Sequence, residues 1–257
     1  MDLNLTGQNV VVFGAAQGIG RAIADQFETE GCRVTGFDQS PDASPLPTTG
    51  DLSVGDVTSF EQVSAFAAGH PDTHHVVFSV GVGSGKFGFP FWNLGPADWQ
   101  RTLKVNLMGA VNVAHAFAPQ LVKKQQGSLL FLVSVAGQMG SPTDPPYSAA
   151  KAGLINFMQV VAKDCAPFNV RANALSPGMV KTELNESVWA AGQANLPADQ
   201  KQNYATWAEA KIKATSPLGR WQTPPEFATM ATYLASEHAR NITGQTINID
   251  GGQVMHT

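Results

Sequence analysis

Short apolar runs recur along the chain and are separated by helical patterns. They occupy residues 10–13, 33–37, 75–80, 129–134, 170–175 and 246–249. The runs are continuous rather than alternating, which is typical of strands that are buried on both faces. Because they alternate with helices along the chain, we expect a parallel sheet with right-handed crossovers. The pattern predicts a doubly wound α/β fold.

Two helices are marked by their own residues. In the first, apolar side chains at i, i+3, i+4 and i+8 form one stripe that faces a sheet. These residues are Ile19, Ala22, Ile23 and Phe27. Gly31 then ends the helix. A later helix is predicted to begin at Thr223, with prolines in its first turn and Glu226 completing a capping box, and to run through Leu234.

Two stretches interrupt the alternation of strands and helices. Residues 39–50 are too rich in Pro, Ser and Thr for a helix, so this crossover is predicted to have lost its helix. Residues 182–215 are predicted to be a small helical excursion that covers the substrate as a lid. Their aromatic residues Trp189, Tyr204 and Trp207 are equally consistent with a core within the lid. No repeat or linker divides the chain, which predicts one domain over residues 1–257.

Composition limits the classes of function. The chain has 43% apolar and 14% charged residues, which excludes disorder and favours self-association. A net charge of -4 provides no basic field for nucleic acid or anionic lipid. We find no leader and no apolar run of about 18 residues, so we expect a cytoplasmic protein without a membrane partner. Cys32 and Cys165 are expected to be reduced and buried.

A glycine-rich turn joins the first strand to the first helix. The segment GAAQGIG at residues 14–20 lets the backbone pass close to a pyrophosphate, while the N–H groups at the start of the helix attract the anion. The alternative is a tight strand-to-helix turn with no ligand. Asp38 ends the second strand, where a carboxylate can accept hydrogen bonds from the adenosine ribose. The alternative for Asp38 is a solvated residue at a strand end.

The residues around this turn favour NAD over NADP. The carboxylate of Asp38 would repel a 2'-phosphate. Neither Arg nor Lys follows Asp38 in the next residues, and Gln17 rather than a cation stands in the glycine loop.

Tyr147 and Lys151 open a later predicted helix. Their i to i+4 spacing places both side chains on one face, about 6 Å apart along the axis. A free tyrosine titrates far above neutral pH, and a nearby ammonium favours the phenolate, so the pair can provide an acid or a base. The alternative is an ordinary surface helix start.

This ordered combination of motifs resembles the short-chain dehydrogenase/reductase family over nearly the whole chain. The resemblance implies a Rossmann-type sheet of about seven strands flanked by helices, hydride transfer with NAD, and a homotetramer. Tyr147 and Lys151 match the family's active site, and Ser134 stands thirteen residues before the tyrosine, where the family's catalytic serine lies. Asn106, in a Lys-Val-Asn-Leu-Met-Gly segment, inherits a role in a proton relay, although a helix-interior Asn bonded to backbone is the alternative.

The resemblance also implies cofactor contacts. They fall on Gly14, Gln17, Gly18, Ile19, Gly20, Asp38, Asp51, Leu52, Gly81, Tyr147, Lys151, Pro177, Gly178, Val180 and Thr182. Within this set Asp51 and Leu52 are expected beside the adenine. Two positions depart from the family pattern: Phe13 replaces a usual Thr, and Ser79 and Val80 stand where Asn and Ala are usual. No metal is expected, since the histidines show no ligand spacing.

The substrate pocket is less defined by the sequence. Candidate lining residues are Gln138, Met139, Ser141 and Trp189, together with Ser134 and Tyr147. Residues 83–92, which we call the aromatic loop, form either a substrate wall with Lys86 available to an anion or a subunit contact. Two apolar helix faces are expected to meet a partner subunit. One belongs to the predicted helix of Asn106 and consists of Leu103, Leu107, Val111 and Ala114; the other is the apolar part of the Tyr147 helix.

Several reactions remain open at this point. A small polar alcohol, such as a sugar, polyol or hydroxy acid, is the first expectation for the substrate. A cyclic dihydrodiol is the second, and 3-oxoacyl reduction on an acyl carrier protein ranks lower because Gln17 and Asp38 disfavour NADPH. A catalytically silent NAD-binding redox sensor is the alternative outside enzymes, and the complete set Ser134, Tyr147 and Lys151 counts against it.

Overall fold

A seven-stranded parallel sheet forms the centre of the molecule. The computed structural model describes residues 1–40, 51–141, 143–194 and 196–255. The strands are β1 Asn9–Phe13, β2 Arg33–Asp38, β3 Asp51–Val54, β4 His75–Phe78, β5 Gly127–Leu132, β6 Val170–Pro177 and β7 Thr246–Ile249. They lie in the order β3-β2-β1-β4-β5-β6-β7, and each neighbouring pair is parallel. The predicted doubly wound α/β fold is confirmed.

Helices connect the strands. Their bounds are α1 Gly18–Thr29, α2 Phe60–Gly69, α3 Ala97–Leu103, α4 Gly109–Lys124, α5 Pro145–Cys165, α6 Glu183–Ala194, α7 Tyr204–Thr215 and α8 Pro224–Ala235. A π-helical turn, Lys104–Met108, joins α3 to α4. The predicted capping box opens α8, where the Glu226 carboxylate accepts the Thr223 N–H at 2.6 Å. In the described ranges, no helix has the length and apolar character that crossing a membrane requires.

The sheet is covered on both faces, as its continuous apolar runs predict. Alternate residues of each strand point to opposite sides. Val10 and Val12 pack with Phe27 of α1 and with α8 on one side, whereas Val11 and Phe13 pack with α2, α4 and α5 on the other. Both cysteines are buried and free, which agrees with the expectation from composition.

The sequence patterns missed one strand and misjudged one helix face. Strand β3 lies at the sheet edge and its four residues are at least partly exposed, so it shows no apolar run. Ala114 was expected to meet a partner subunit, but it is buried in the core because α4 turns that side towards the sheet. Met108 is the exposed apolar residue at the start of that helix. The predicted loss of a helix falls mainly on residues 41–50, outside the described residues.

The strand order reverses between β1 and β4. Connections from these two strands leave to opposite faces, which opens a crevice at their carboxyl ends. Strand β6 also ends at this edge, and the chain continues from it into α6 and α7. The topology therefore predicts a ligand site at the carboxyl edge of the sheet.

Candidate active site

The segments singled out in the sequence meet at that edge. Gly14 follows β1, Asp38 ends β2, Gly81 follows β4, Ser134 follows β5, and Pro177 ends β6. All five strands are parallel, so these positions share one side of the molecule. They surround the crevice between β1 and β4.

The glycine loop leaves its backbone open above the start of α1. Gly14 and Gly18 have φ angles of 83° and 58°, in the left-handed region that favours glycine. A Cβ atom on Gly20 would lie 2.0 Å from the Gly14 carbonyl oxygen, so the helix packs directly on the turn. Gln17 and Gly18 are exposed, Ile19 is partly buried, and the Thr182 methyl group lies 3.9 Å from a Cβ placed on Gly18. This cradle fits a dinucleotide pyrophosphate.

Backbone amides hold Asp38 beside the loop. Its Oδ2 accepts the Ala16 N–H at 3.0 Å, and its Oδ1 accepts the Ser40 N–H at 3.1 Å. Gly14 N–H donates to the Phe37 carbonyl at 2.8 Å, which draws the loop against β2. A carboxylate oxygen has more than one lone pair, so both oxygens can still accept from a ribose hydroxyl.

Tyr147, Ser134 and Lys151 form one cluster. The Ser134 hydroxyl hydrogen-bonds the Tyr147 hydroxyl. Lys151 follows one helical turn later, and its Nζ lies 5.5 Å from the centre of the tyrosine ring. The ammonium is 2% exposed and donates to the Leu132 carbonyl at 2.7 Å. The last residue of β5 therefore fixes the lysine of α5.

Burial moves the two pKa values of this cluster in opposite directions. It raises the pKa of Tyr147 to about 12, while the hydrogen bond from Ser134 acts to lower it and the charge of Asp144 to raise it. Burial also lowers the pKa of Lys151 to about 7. Lys151 is not among the groups that shift the pKa of Tyr147 in this structure, so its expected lowering of that pKa stays a prediction.

Asn106 lies in the π-helical turn and is fully buried. Its Nδ2 donates to the carbonyls of Val82 and Thr102, both at 2.8 Å, and its Oδ1 accepts the Val82 N–H at 3.1 Å. These contacts match the alternative of an Asn bonded to backbone. A Cβ on Gly81 would lie 3.4 Å from Asn106 Oδ1 and 3.5 Å from Lys151 Nζ, so the three residues meet beneath the crevice.

The carboxyl end of β6 is packed tightly against β7. Gly178 N–H donates to the Ile249 carbonyl at 3.2 Å, and a Cβ on Gly178 would lie 2.8 Å from Asp250 Cα. Val180 is buried and pairs with Gln222. Pro177, Gly178 and Val180 thus present a fixed backbone to the crevice.

The predicted substrate residues have different surroundings. Gln138 donates to Ser176 Oγ at 2.6 Å and to Asn248 Oδ1 at 2.7 Å, so its amide ties the loop after β5 to β6 and β7. Met139 is exposed. Ser141 donates its N–H to Ser148 Oγ at 3.3 Å.

Trp189 contacts the segment in which it lies. Its Nε1 donates to the Gln202 carbonyl at 3.1 Å, and its ring packs edge-on against Tyr204, whose ring stacks on Trp207. These contacts favour the interpretation of the three aromatic residues as a core between α6 and α7. They do not support Trp189 as a pocket residue.

Asp51 and Leu52 do not lie at the carboxyl edge. They open β3 and pair with Thr35 and Gly36, so the strand separates them from the crevice. Gly55 follows the strand and donates its N–H to the Asp38 carbonyl at 2.8 Å, which brings Asp56 to this edge instead. The sequence did not show that these two residues open the strand, because the bounds of β3 were not visible in its half-exposed sequence.

The two departures from the family pattern are accommodated by packing. Phe13 is fully buried, with ring centres 5.1 Å from Phe37 and 5.8 Å from Phe117. Ser79 donates its N–H to the Phe13 carbonyl at 2.9 Å. An aromatic cluster thus stands behind the glycine loop where a polar side chain is usual.

The aromatic loop is largely exposed. Phe89, Phe91 and Trp92 are 60%, 64% and 71% exposed, respectively. Lys86 forms an ion pair with Asp98 at 2.7 Å, so its charge is already partnered. The expectation that Lys86 is available to an anion is therefore not supported.

Asp144 is a residue of the site that the sequence patterns missed. It caps α5 by accepting the Tyr147 N–H at 3.2 Å, and its other carboxylate oxygen accepts the Ser84 N–H of the aromatic loop at 2.7 Å. The signal available in the sequence is an Asp directly before two prolines and a helix, which is typical of a helix N-cap.

Comparisons with known proteins agree with this geometry. A family model described as enoyl-(acyl carrier protein) reductase matches residues 14–254. The 3-oxoacyl-(acyl-carrier-protein) reductase FabG of Thermotoga maritima is 32% identical over 98% of this chain and 100% of that protein. The NAD-dependent glycerol dehydrogenase of Listeria innocua is 30% identical over 99% of this chain and 96% of that protein.

A solved structure shares the same architecture. Aldohexose dehydrogenase of Thermoplasma acidophilum has a TM-score of 0.85 and 26% identity, covering 100% of this chain and 98% of that one. The family uses nicotinamide cofactors, which fits the glycine cradle described above. The chain belongs to the short-chain dehydrogenase/reductase family and is an oxidoreductase.

Proposed function

We propose that the protein transfers a hydride between NAD(H) and a secondary alcohol or its ketone, with Tyr147 as the general acid and base. The observation that carries the proposal is the convergence of Ser134, Tyr147, Lys151 and Asn106 beneath the crevice beside the glycine loop. A phenol, a hydroxyl and an ammonium in one cluster can move a proton at the substrate oxygen and stabilise its developing charge.

Each residue has a distinct part in this reaction. In oxidation, the Tyr147 phenolate takes the hydroxyl proton while the hydride leaves the carbinol carbon; in reduction, the phenol returns that proton to the carbonyl oxygen. Ser134 orients the substrate oxygen through its hydroxyl. Lys151 is proposed to bind the nicotinamide ribose. Asn106 is proposed to hold backbone groups along which water molecules carry the proton onward. The cofactor supplies the hydride acceptor or donor and, when oxidised, a positively charged ring.

The cofactor proposed is NAD. Asp38 holds a carboxylate at the place expected for the adenosine ribose, where it would accept hydroxyl groups and repel a 2'-phosphate. The residues proposed to hold the dinucleotide are Gly14, Gln17, Gly18, Ile19, Gly20, Asp38, Gly81, Tyr147, Lys151, Pro177, Gly178, Val180 and Thr182. The name of the Listeria relative, an NAD-dependent glycerol dehydrogenase, is consistent with this choice.

The substrate proposed is a small polar alcohol such as a polyol or an aldose. Two similar proteins are named for glycerol and for aldohexose. The lid proposed over residues 182–215 would enclose such a molecule above Tyr147. A second candidate is reduction of a 3-oxoacyl thioester, which the names of other relatives favour and for which the exposed aromatic loop offers apolar surface.

A substrate panel tests the proposal. Purified protein is mixed with NAD and, in separate reactions, glycerol, glucose, a hydroxy acid, a cyclic cis-diol and a 3-hydroxyacyl thioester, and NADH formation is followed. We expect the highest kcat/KM with a polyol or an aldose. A higher kcat/KM for the thioester would favour the second candidate, reduction of a 3-oxoacyl thioester. Silence with every alcohol, despite tight binding of NADH, would overturn enzymatic activity and favour a redox sensor.

A further inference from the structure

The aromatic loop rests on the first turn of the helix that carries Tyr147. Gly88 N–H donates to the Thr143 carbonyl at 2.9 Å. A Cβ atom on Gly88 would lie 2.2 Å from Pro145 Cδ, so only a glycine permits this approach. The loop and the start of α5 therefore form one packed unit beside the crevice.

One carboxylate joins the two parts of this unit. Asp144 Oδ1 accepts the N–H of Tyr147 itself at 3.2 Å, and Asp144 Oδ2 accepts the Ser84 N–H at 2.7 Å. The Asp144 carbonyl accepts the Ser148 N–H at 3.0 Å. Charge-assisted hydrogen bonds of this kind are among the stronger ones in proteins. The same carboxylate thus contacts both the aromatic loop and the backbone of Tyr147.

Asp144 also places a negative charge near the phenol. Besides Asp144, the described residues that the structure places against Tyr147 are Lys151 on the same helix and the neutral Ser134 after β5. In the aromatic loop, Lys86 is paired with Asp98. The Asp144 charge acts to raise the pKa of the phenol, in the same direction as burial.

We propose that Asp144 is a positioning residue for Tyr147, which seats the aromatic loop on the catalytic helix and so couples substrate contacts at the loop to the proton-transfer group. This inference rests on the proposed function, since it assigns a partner to the proposed acid and base. It deepens that function by predicting that one residue sets both KM and the pH dependence of turnover.

The main test is Asp144→Asn, assayed as NAD-dependent oxidation of the best alcohol of the panel. Asparagine remains a good helix N-cap, but it has one acceptor oxygen in place of two and no charge. We expect KM to rise about tenfold, the loss typical of one hydrogen bond to a charged group. We also expect the rising limb of kcat/KM against pH to move to lower pH, because the charge that disfavours the phenolate is removed.

Matched variants separate the two effects. Ser84→Pro removes the N–H that Asp144 accepts and keeps the charge, so KM should rise while the pH limb stays in place. Ser84→Ala retains that N–H but loses the hydroxyl that bonds the Lys86 backbone. The difference between the two Ser84 variants therefore reports the N–H alone. Asp164→Asn removes an exposed carboxylate from the far end of the same helix and should move neither quantity. If Asp144→Asn does not fold, Ser84→Pro alone still decides whether the loop contact sets KM.

The outcomes distinguish this inference from the proposed function. Wild-type KM and pH profile in Asp144→Asn, or equal changes in Asp164→Asn, would overturn the positioning role and leave Tyr147 as the acid and base. Full turnover in Tyr147→Phe would instead overturn the proposed function itself.

Discussion

Among single residues, burial determines the protonation state of Tyr147, the proposed acid and base. It raises the pKa of Tyr147 to about 12 and lowers that of Lys151 to about 7. Near neutral pH the phenol of the free protein therefore holds its proton, which suits donation to a carbonyl oxygen. Oxidation of an alcohol needs the phenolate, so its rate should rise with pH. The i to i+4 spacing indicates that these two residues are neighbours, but spacing alone does not show how deeply both are buried.

The cofactor preference depends on Asp38. We expect the wild-type protein to bind NADH more tightly than NADPH. In Asp38→Ala this difference in affinity should become smaller or reverse, because the repulsion of the 2'-phosphate is lost. Parallel fluorescence titrations with both cofactors measure this preference. Asp72→Ala is the acidic control, because Asp72 is exposed and precedes β4 at the opposite edge of the sheet. Tighter binding of NADPH by the wild-type protein would contradict the role of Asp38.

At the scale of elements, apolar runs identified the buried strands well and the exposed edge poorly. Strands β1, β4, β5 and β6 are buried between helices, so their sequences are continuously apolar. Strand β3 has no such signal, so the sequence did not show that Asp51 opens this strand. The role of Asp144 was not predictable because it depends on a contact between the helix and a loop that is 60 residues away in sequence.

The aromatic cluster behind the glycine loop should contribute strongly to stability. Phe13→Ala leaves a cavity among Phe37, Phe66 and Phe117, and we expect a loss of about 3–5 kcal/mol in the free energy of unfolding. Urea denaturation measures the change. Phe91→Ala on the exposed loop is the control, with an effect within about 0.5 kcal/mol. Equal losses for both variants would contradict the assignment of Phe13 to the core.

The first residue of β4 should make the fold sensitive to acid. His75 is buried, with its Nδ1 2.8 Å from Ser128 Oγ and its Nε2 2.5 Å from Gln8 Oε1. Burial lowers its pKa to about 3. The native state thus stays neutral while the unfolded chain takes up a proton as the pH falls below 6.5. The free energy of unfolding should decrease by about 1.4 kcal/mol per pH unit in this range.

The matched variant for this prediction is His75→Gln, which cannot take up that proton. Urea denaturation as a function of pH should give a shallower slope for the variant than for the wild-type protein, whatever its absolute stability. Identical slopes would show that another group causes the acid sensitivity.

At the scale of the whole molecule, the reversal of strand order gathers distant segments into one crevice. The sequence predicted the sheet and most of the residues at its carboxyl edge, because each follows a recognisable strand. It did not predict which helix faces remain exposed, since that depends on the rotation of each helix against the sheet. Exposed apolar residues include Met108, directly before α4, and Val160 on α5, each 48% exposed. We propose that this exposed apolar surface joins the subunits of a homotetramer.

The oligomer proposal is tested by Val160→Asp. We expect the mass of a tetramer for the wild-type protein by light scattering. A carboxylate in an apolar interface is costly, so Val160→Asp should have a lower mass. Val54→Asp, on the exposed edge strand β3, is the control and should remain tetrameric. A monomeric wild-type protein, or a tetramer that persists in Val160→Asp, would contradict the proposed interface.

The role of Tyr147 as acid and base is tested by the turnover of Tyr147→Phe, because the change removes one hydroxyl and leaves the ring. We predict that the variant binds NADH nearly as tightly as the wild-type protein, while kcat falls by about 10²–10⁴-fold through loss of the proton-transfer group. The two quantities are measured on the same preparation by fluorescence titration and by NADH formation from the best alcohol of the panel. Unchanged turnover, with NADH bound, would contradict the account.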